Sequence, residues 1–170
     1  VRGERIRLIT ELFKIYKRYH SEEKFDRFYF WGDMLIADFD MIDKYLVDAN
    51  QLLRNLEDIK ELEADVSYIT DERQLRIISF WKSIGDNDSL SEQKKRFLKV
   101  WRSLPKIYKE FRERLLSLKF AYPGLIYRTA IERIERGEDV KLPSKRIVVA
   151  GFNALSESER RLFKHLSRRE

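Results

Sequence analysis

The sequence predicts a mainly α protein, a multi-helix bundle that ends in a short strand and a further helix. Apolar residues return every three or four positions over most of the first 120 residues, which is typical of amphipathic helices. Of the 170 residues, 43% are hydrophobic and 38% are charged, a balance that suits long helices rather than a disordered chain. The one strand signal is a β-branched run, Ile147-Val148-Val149, near the C-terminus.

The first two helices differ in length. Ile6, Ile9, Phe13 and Tyr16 predict an amphipathic first helix, and Ser21 offers a cap for the second. In the second helix an apolar seam steps by four and three, so we expect one continuous helix over its whole length. The seam consists of Phe28, Gly32, Leu35, Phe39, Ile42, Leu46, Ala49, Leu53 and Leu56.

Two more helices precede residue 120. Thr70 can cap a short helix that carries Leu75, Ile78 and Trp81. Ser89 and Glu92 form a capping box for the next helix. Its seam consists of Phe97, Trp101, Leu104, Tyr108, Phe111 and Leu115. Pro105 lies within this seam, so the sequence predicts either a kink or a break with Ser103 capping the second half.

The last fifty residues change character. Pro123 opens a helix that ends near Gly137, the apolar run at 147–149 is typical of a buried strand, and Ser156 with Glu159 caps a final helix. We therefore divide the chain into a helical part, 1–120, and a helix-strand-helix part, 121–170, and expect the two to pack as a single unit.

Charge is distributed unevenly along the chain. From Gly32 to Glu72 twelve Asp and Glu residues face three Lys and Arg, whereas from Lys94 to Arg114 nine Lys and Arg face two Asp and Glu. Within the basic stretch, five cations repeat at intervals of four and three, so a continuous helix would align them in one stripe. They are Lys95, Lys99, Arg102, Lys106 and Lys109. The stripe either contacts the phosphate backbone of DNA or only keeps the helix soluble.

Composition excludes several classes of site. The chain has no cysteine, so disulfides, thiolate metal ligands and a cysteine nucleophile are ruled out. No apolar run approaches the roughly 20 residues needed to span a bilayer, and no signal-peptide pattern opens the chain. We expect a soluble, cytoplasmic segment that has no cofactor and no membrane partner.

Four carboxylates in the second helix, Asp33, Asp38, Asp40 and Asp43, invite a metal interpretation, because Mg²⁺ prefers oxygen ligands. Asp38 points away from the other three, and all four interleave with the apolar seam. A solvated helix face is therefore the expectation, with a metal site as the alternative.

Aromatic and histidine side chains give weaker signals. Trp31, Trp81 and Trp101 fall on or beside apolar seams, which favours core packing over base stacking. His20 and His165 are far apart in sequence and lack neighbours for a catalytic triad or a zinc site, so both are expected at the surface.

One segment near the C-terminus resembles a known motif. The run Arg146-Ile147-Val148-Val149-Ala150-Gly151-Phe152-Asn153-Ala154-Leu155-Ser156-Glu157-Ser158-Glu159 is similar to the Walker B region of UvrD-like superfamily 1 helicases, in which an apolar strand precedes Asp-Glu, an apolar residue and Gln-Asp. Here Ala150 and Gly151 stand at the positions of the magnesium-binding Asp and the catalytic Glu, and Asn153 and Ala154 replace Gln and the second Asp. The resemblance thus implies a degenerate motif that does not hydrolyse ATP.

Two further segments extend the resemblance to AddB-like subunits of bacterial helicase-nucleases. Residues 118–128 look like the helix that precedes Walker B, and residues 28–47 look like a segment of uncharacterised Bacteroidetes proteins of that group. These often carry a C-terminal PD-(D/E)XK nuclease domain. The resemblance implies that the chain is a piece of a larger protein of a group that includes nucleases. It also implies that residues 1–120 are a helical insertion and residues 121–170 a remnant of a P-loop lobe. It implies a non-catalytic DNA repair or recombination segment that binds DNA, or alternatively a scaffold for a helicase partner.

Overall fold

The computed structural model describes residues 2–53, 90–138, 148–151 and 154–167, with the backbone alone for residues 2 and 90–98. Five helices are defined in these ranges: α1 (Arg2–Tyr19), α2 (Phe25–Lys44), α3 (Leu90–Ser117), α4 (Pro123–Glu135) and α5 (Glu157–Leu166). Residues 49–53 are also helical. The mainly helical fold is confirmed. The predicted helix at 70–81 and the capping box of Ser89 and Glu92 lie outside the described residues.

The chain divides into two compact units. The first comprises residues 1–48 and 107–170, and the second comprises residues 49–106. Helix α3 contributes to both units, and the boundary within it falls directly after Lys106. The assignment of residues 121–170 to a P-loop lobe stays a prediction.

Helix α2 is at the centre of the first unit. It packs against α1 and α4, and α5 in turn packs against α4. Gly32 permits a close approach to α1, because a Cβ at this position would lie 3.1 Å from Ile9 Cγ2 and 2.6 Å from Phe28 Cε1. Phe39 makes edge contacts with Tyr108, at 5.0 Å between ring centroids. These buried aromatic side chains form part of the apolar core.

The predicted long second helix is wrong, because α2 ends at Lys44 although the apolar seam continues. Leu46 takes the left-handed conformation with φ 55°, and its N–H and that of Val47 bond back to the carbonyls of Asp43 and Ile42. This pair of hydrogen bonds is a Schellman motif, which closes a helix. The expected cap at Ser21 is also wrong: Lys24 occupies the N-cap position of α2 without a side-chain hydrogen bond.

Helix α3 runs through Pro105 without a break. Ser103 donates to the carbonyl oxygen of Val100 at 2.6 Å instead of capping a second helix. The alternative of a helix break is therefore excluded. The buried face of α3 follows the predicted seam, with Leu104, Tyr108 and Phe111 nearly inaccessible to solvent.

Candidate nucleic-acid interface

The predicted basic stripe lies on α3, and its described side chains are exposed. These are the side chains of Lys99, Arg102, Lys106 and Lys109. At about 100° per residue, Lys99, Arg102 and Lys106 fall within an arc of roughly 60° on the helix. Lys95 belongs to the same helix, but its side chain lies outside the described residues. Lys99, Arg102 and Lys106 belong to the second unit and Lys109 to the first.

Two other cations of α3, Arg112 and Arg114, pair with carboxylates. Nη2 of Arg112 lies 3.0 Å from Oε1 of Glu132, and Nε of Arg114 lies 2.9 Å from Oε2 of Glu11. No such ion pair joins Lys99, Lys106 or Lys109 to a carboxylate in the described part of the chain. Lys99, Lys106 and Lys109 are therefore available to an external anion.

The positions matched to the Walker B motif do not lie on a strand where the structure describes them. Ala150, Gly151 and Ala154 are exposed and irregular, and Asn153 lies outside the described residues. Val148 is 84% exposed and Val149 is 45% exposed, so the expected buried strand is wrong for these two residues. A β-branched run forms a strand only when a neighbouring strand accepts its backbone hydrogen bonds, and residues 2–53, 90–138, 148–151 and 154–167 contain no strand.

Asp43 is fully buried at the end of α2. The hydroxyl of Tyr122 donates to its Oδ2 at 2.5 Å, and the hydroxyl of Tyr108 donates to its Oδ1. Nε of Arg128 lies 2.6 Å from Oδ1, and Nε of Arg112 lies 3.9 Å from the same oxygen. One carboxylate thus joins α2 to α3 and α4. The expectation of a solvated face is wrong for Asp43, because two hydroxyls and two guanidinium groups replace its water.

The two tyrosines are held in their protonated form. Burial, followed by the negative charge of Asp43, raises the pKa of both Tyr108 and Tyr122 above the ordinary value. A protonated phenol can donate a hydrogen bond to a carboxylate, whereas a phenolate would repel it. Nε of Arg128 is close enough for an ion pair but is not aligned for a hydrogen bond. The arrangement is a closed structural network with no access for a substrate.

The same region satisfies the backbone at the end of α2. Nη2 of Arg128 donates to the carbonyl oxygens of Ile42 and Val47 at 2.9 and 2.7 Å. The Ser158 hydroxyl, from α5, donates to the carbonyl oxygen of Lys44 at 2.5 Å. Helices α4 and α5 therefore donate hydrogen bonds to carbonyls at the end of α2 and just beyond it, where a helix runs out of N–H donors of its own.

The remaining carboxylates of α2 are divided between tertiary contacts and solvent. Asp40 accepts a hydrogen bond from the Gly124 N–H at 2.6 Å and pairs with Lys44 at 2.8 Å. It thereby caps the N-terminus of α4, which has no side-chain cap of its own. Asp33 pairs with Arg5 at 2.5 Å on a partly exposed surface. Asp38 is exposed, as expected.

A groove of about 420 Å³ lies between α4 and α5. Ile131 and Ile134 line it on one side, and Arg160 and Arg161 on the other. Both arginines are committed to Glu157, whose pKa their hydrogen bonds lower to about 2. The groove therefore carries little uncompensated charge. His165 also lines it, half-buried, with Nε2 shielded from solvent and without a hydrogen-bond partner.

The two described tryptophans differ in burial, so the expected core packing is not met for Trp31. Trp101 is half-buried and donates from Nε1 to the carbonyl oxygen of Leu53 at 3.0 Å. Trp31 is 41% exposed, and Trp81 lies outside the described residues. His20 is half-buried and packs on the ring of Tyr16, with 4.5 Å between centroids. The expectation of a surface position is thus only partly met for either histidine.

Comparison with known proteins gives no relative: no family model, no curated protein and no solved structure matches the chain. Among the described residues, no group of three or more Asp, Glu, His or Cys side chains is placed to hold a metal ion. The same residues include no helix that is both long and apolar enough to cross a bilayer.

Proposed function

We propose that this chain binds the phosphate backbone of DNA through the basic stripe of α3, as a non-catalytic segment of a DNA repair or recombination helicase-nuclease subunit. The observation that carries the proposal is the exposure of Lys99, Arg102 and Lys106 on one side of the part of α3 that belongs to the second unit. Lysine and arginine side chains attract DNA mainly by displacing the cations condensed on its phosphates.

The spacing of the stripe suits a phosphate backbone. Lys99 and Lys106 are seven residues apart, which is about 10 Å along a helix. Each strand of B-form DNA has one phosphate per about 3.4 Å of duplex axis, so this part of the stripe spans roughly three phosphates when α3 lies along that axis. No carboxylate lies among the five members of the stripe, so the attraction is not cancelled within it. Binding without sequence preference is the expected result.

Fluorescence anisotropy of a labelled single-stranded oligonucleotide tests the proposal. If about four phosphates are neutralised, affinity should fall roughly 50-fold between 50 and 200 mM salt. The triple variant Lys99→Glu, Arg102→Glu and Lys106→Glu should abolish binding. A matched control, Lys17→Glu, Lys24→Glu and Arg27→Glu, changes the net charge equally at exposed positions of α1, of α2 and of the turn between them.

The control separates a local interface from a general effect of charge. We expect the control triple to keep most of the affinity, because only part of the attraction arises from the net charge of +6. Unchanged affinity in the α3 triple, or equal loss in both triples, would contradict the assignment of the interface to α3. Circular dichroism of both variants checks that the helices are intact.

The helicase-nuclease context rests on the resemblance of residues 28–47, 118–128 and 146–159. At the positions of the Walker B carboxylates, the chain has Ala150, Gly151, Asn153 and Ala154. Mg²⁺ and an attacking water would lack carboxylate ligands there. We therefore expect no ATP hydrolysis by this segment, measured as phosphate release with and without DNA.

A second candidate is a protein-interaction scaffold that holds a helicase partner through α2. It is favoured by an exposed apolar surface, the α2 outer stripe, formed by Phe30, Met34, Ala37, Met41 and Tyr45. The acidic character of α2 contributes less, because Asp40 and Asp43 are committed internally. A pull-down of the helicase partner tests this candidate with Phe30→Gln and Met41→Gln, which change the stripe, and with Asp26→Lys and Asp38→Lys, which reverse exposed carboxylates. Only the scaffold hypothesis predicts that these variants lose binding to the partner and still bind DNA.

A further inference from the structure

The α2 outer stripe is a large apolar surface on the side of the helix away from the core. Phe30 is 72% exposed, Met34 38%, Met41 51% and Tyr45 48%. At about 100° per residue Phe30, Met34, Ala37 and Met41 fall within an arc of roughly 60°, opposite the buried residues Phe28 and Phe39. Tyr45 is the C-cap residue directly after the helix. Helix α2 is thus apolar on two opposite faces, of which only one is covered by α1 and α4.

The residues of the stripe are arranged almost symmetrically about its centre. Met34 and Met41 lie three residues before and four residues after Ala37, and the aromatic Phe30 and Tyr45 lie seven before and eight after. If a second α2 crosses antiparallel at this centre, Phe30 meets Tyr45 of the other copy and Met34 meets Met41. Alanine at the centre permits close approach of the two helices.

We propose that the α2 outer stripe is the contact surface between two copies of this chain, packed antiparallel about a two-fold axis near Ala37. Such an interface presents the same patch on both copies and closes at two members. Its chemistry is apolar, with aromatic and methionine side chains at the contact, which are the residue types enriched in protein interfaces. The inference is independent of DNA binding by α3.

The area of the surface predicts a weak dimer. With about 200 Å² for a fully exposed side chain of this size, the stripe offers roughly 500 Å² on each copy. The total of about 1,000 Å² is at the lower end of specific interfaces. We therefore expect a dimer that dissociates on dilution.

Asp38 gives the interface a distinctive response to salt. It is exposed on one flank of the stripe, next to Ala37, so the two-fold axis brings the Asp38 carboxylates of both copies to the same side. Like charges at short distance repel each other, and salt screens that repulsion. Added salt and the variant Asp38→Asn should both strengthen the dimer, whereas salt weakens DNA binding.

Sedimentation equilibrium of the full chain, at 5–500 µM and without DNA, tests the proposal. Phe30→Gln and Met41→Gln should each weaken dimerisation by at least about ten-fold. Ile126→Gln is the matched control, because Ile126 on α4 is 55% exposed and lies outside the stripe. A monomer at all concentrations, or equal weakening in the control, would overturn the proposal.

Single cysteines test the antiparallel geometry, because the native chain has none. The variant Ala37→Cys places a thiol near the two-fold axis. Under mild oxidation it should form a disulfide with the same cysteine of the second copy. Phe30→Cys should not, since antiparallel helices place the two Phe30 positions about 22 Å apart, beyond the reach of a disulfide. A mixture of Phe30→Cys and Tyr45→Cys should give the mixed dimer. A disulfide between two Phe30→Cys chains would indicate a parallel pair and refute the inference. A chain that stays monomeric and binds only another protein through the stripe would also refute it.

Discussion

Replacement of Asp43 by asparagine keeps the shape of a fully buried side chain and removes its charge. The guanidinium group of Arg128, whose Nε lies 2.6 Å from the carboxylate, would lose its counter-ion although its side chain is only 13% exposed. Removal of one partner from a buried ion pair costs about 3–5 kcal/mol, because the other charge remains without compensation. We expect Asp43→Asn to lower the free energy of unfolding by an amount in that range.

Urea unfolding followed by circular dichroism at pH 7 measures this loss. Asp33→Asn is the matched control, because Asp33 pairs with Arg5 where both side chains are more than a third exposed. A surface pair of this kind contributes about 0–1 kcal/mol. Tyr122→Phe should fall between the two, since a hydrogen bond to a charged group contributes about 1.5–3 kcal/mol.

The double variant Asp43→Asn with Tyr122→Phe tests whether the two groups act together. Because Tyr122 donates directly to Oδ2 of Asp43, the two losses should not add. The reasoning is refuted if Asp43→Asn costs no more than Asp33→Asn, or if its loss adds fully to that of Tyr122→Phe.

Two further predictions concern pH and close packing. Burial raises the pKa of Tyr16 to about 12 and raises those of Tyr108 and Tyr122, so these groups stay protonated in the folded chain at a pH at which the unfolded chain ionises. The stability that is present below pH 10 should therefore fall above pH 10, by up to about 1.4 kcal/mol per pH unit for each tyrosine. Urea titrations at pH 9 and 11 check this, and equal stabilities would contradict it. Gly124→Ala should cost about 1–3 kcal/mol, since the new Cβ would lie 2.2 Å from the carbonyl oxygen of Asp40. Thermal melts should show a lower Tm than for Gly3→Ala, where no atom lies within 4 Å; equal values would refute the packing argument.

Signals contained within a few residues were sufficient to predict several helix ends. The capping box of Ser156 and Glu159 is present, Pro123 occupies the first turn of α4, and Gly137 follows the end of that helix with φ 75°. Each of these features depends on side chains and backbone groups within one helical turn. The residue types at these positions therefore carry the structural information themselves.

Asp43 shows where such reasoning stops. Its position, four residues after Phe39 and seven after Ile36, places it on the buried face of α2 by helical spacing alone. Its partners Tyr108 and Tyr122 are 65 and 79 residues away in sequence, so no local pattern identifies them. A carboxylate at a core position is the signal that was available. The charge of the carboxylate favours a position in solvent, whereas its helical spacing favours the core. The hydroxyls of the distant tyrosines stabilise the carboxylate in the core.

The end of α2 is determined by distant residues in the same way. Apolar spacing favours continuation of the helix beyond Lys44, and such spacing is a reliable sign of an amphipathic surface. A continuous helix, however, would use the carbonyl groups of this last turn for its own hydrogen bonds. In the folded chain, the carbonyl of Ile42 accepts from the Val47 N–H of the Schellman motif and also from Arg128. Arg128 further donates to the carbonyl of Val47, beyond the helix end, and Ser158 donates to that of Lys44. The same arginine faces the Asp43 carboxylate, so the helix end and the buried charge depend on each other. Loss of Arg128 would therefore weaken both, while the hydroxyls of Tyr108 and Tyr122 would still bind Asp43 and that of Ser158 would still bind the Lys44 carbonyl.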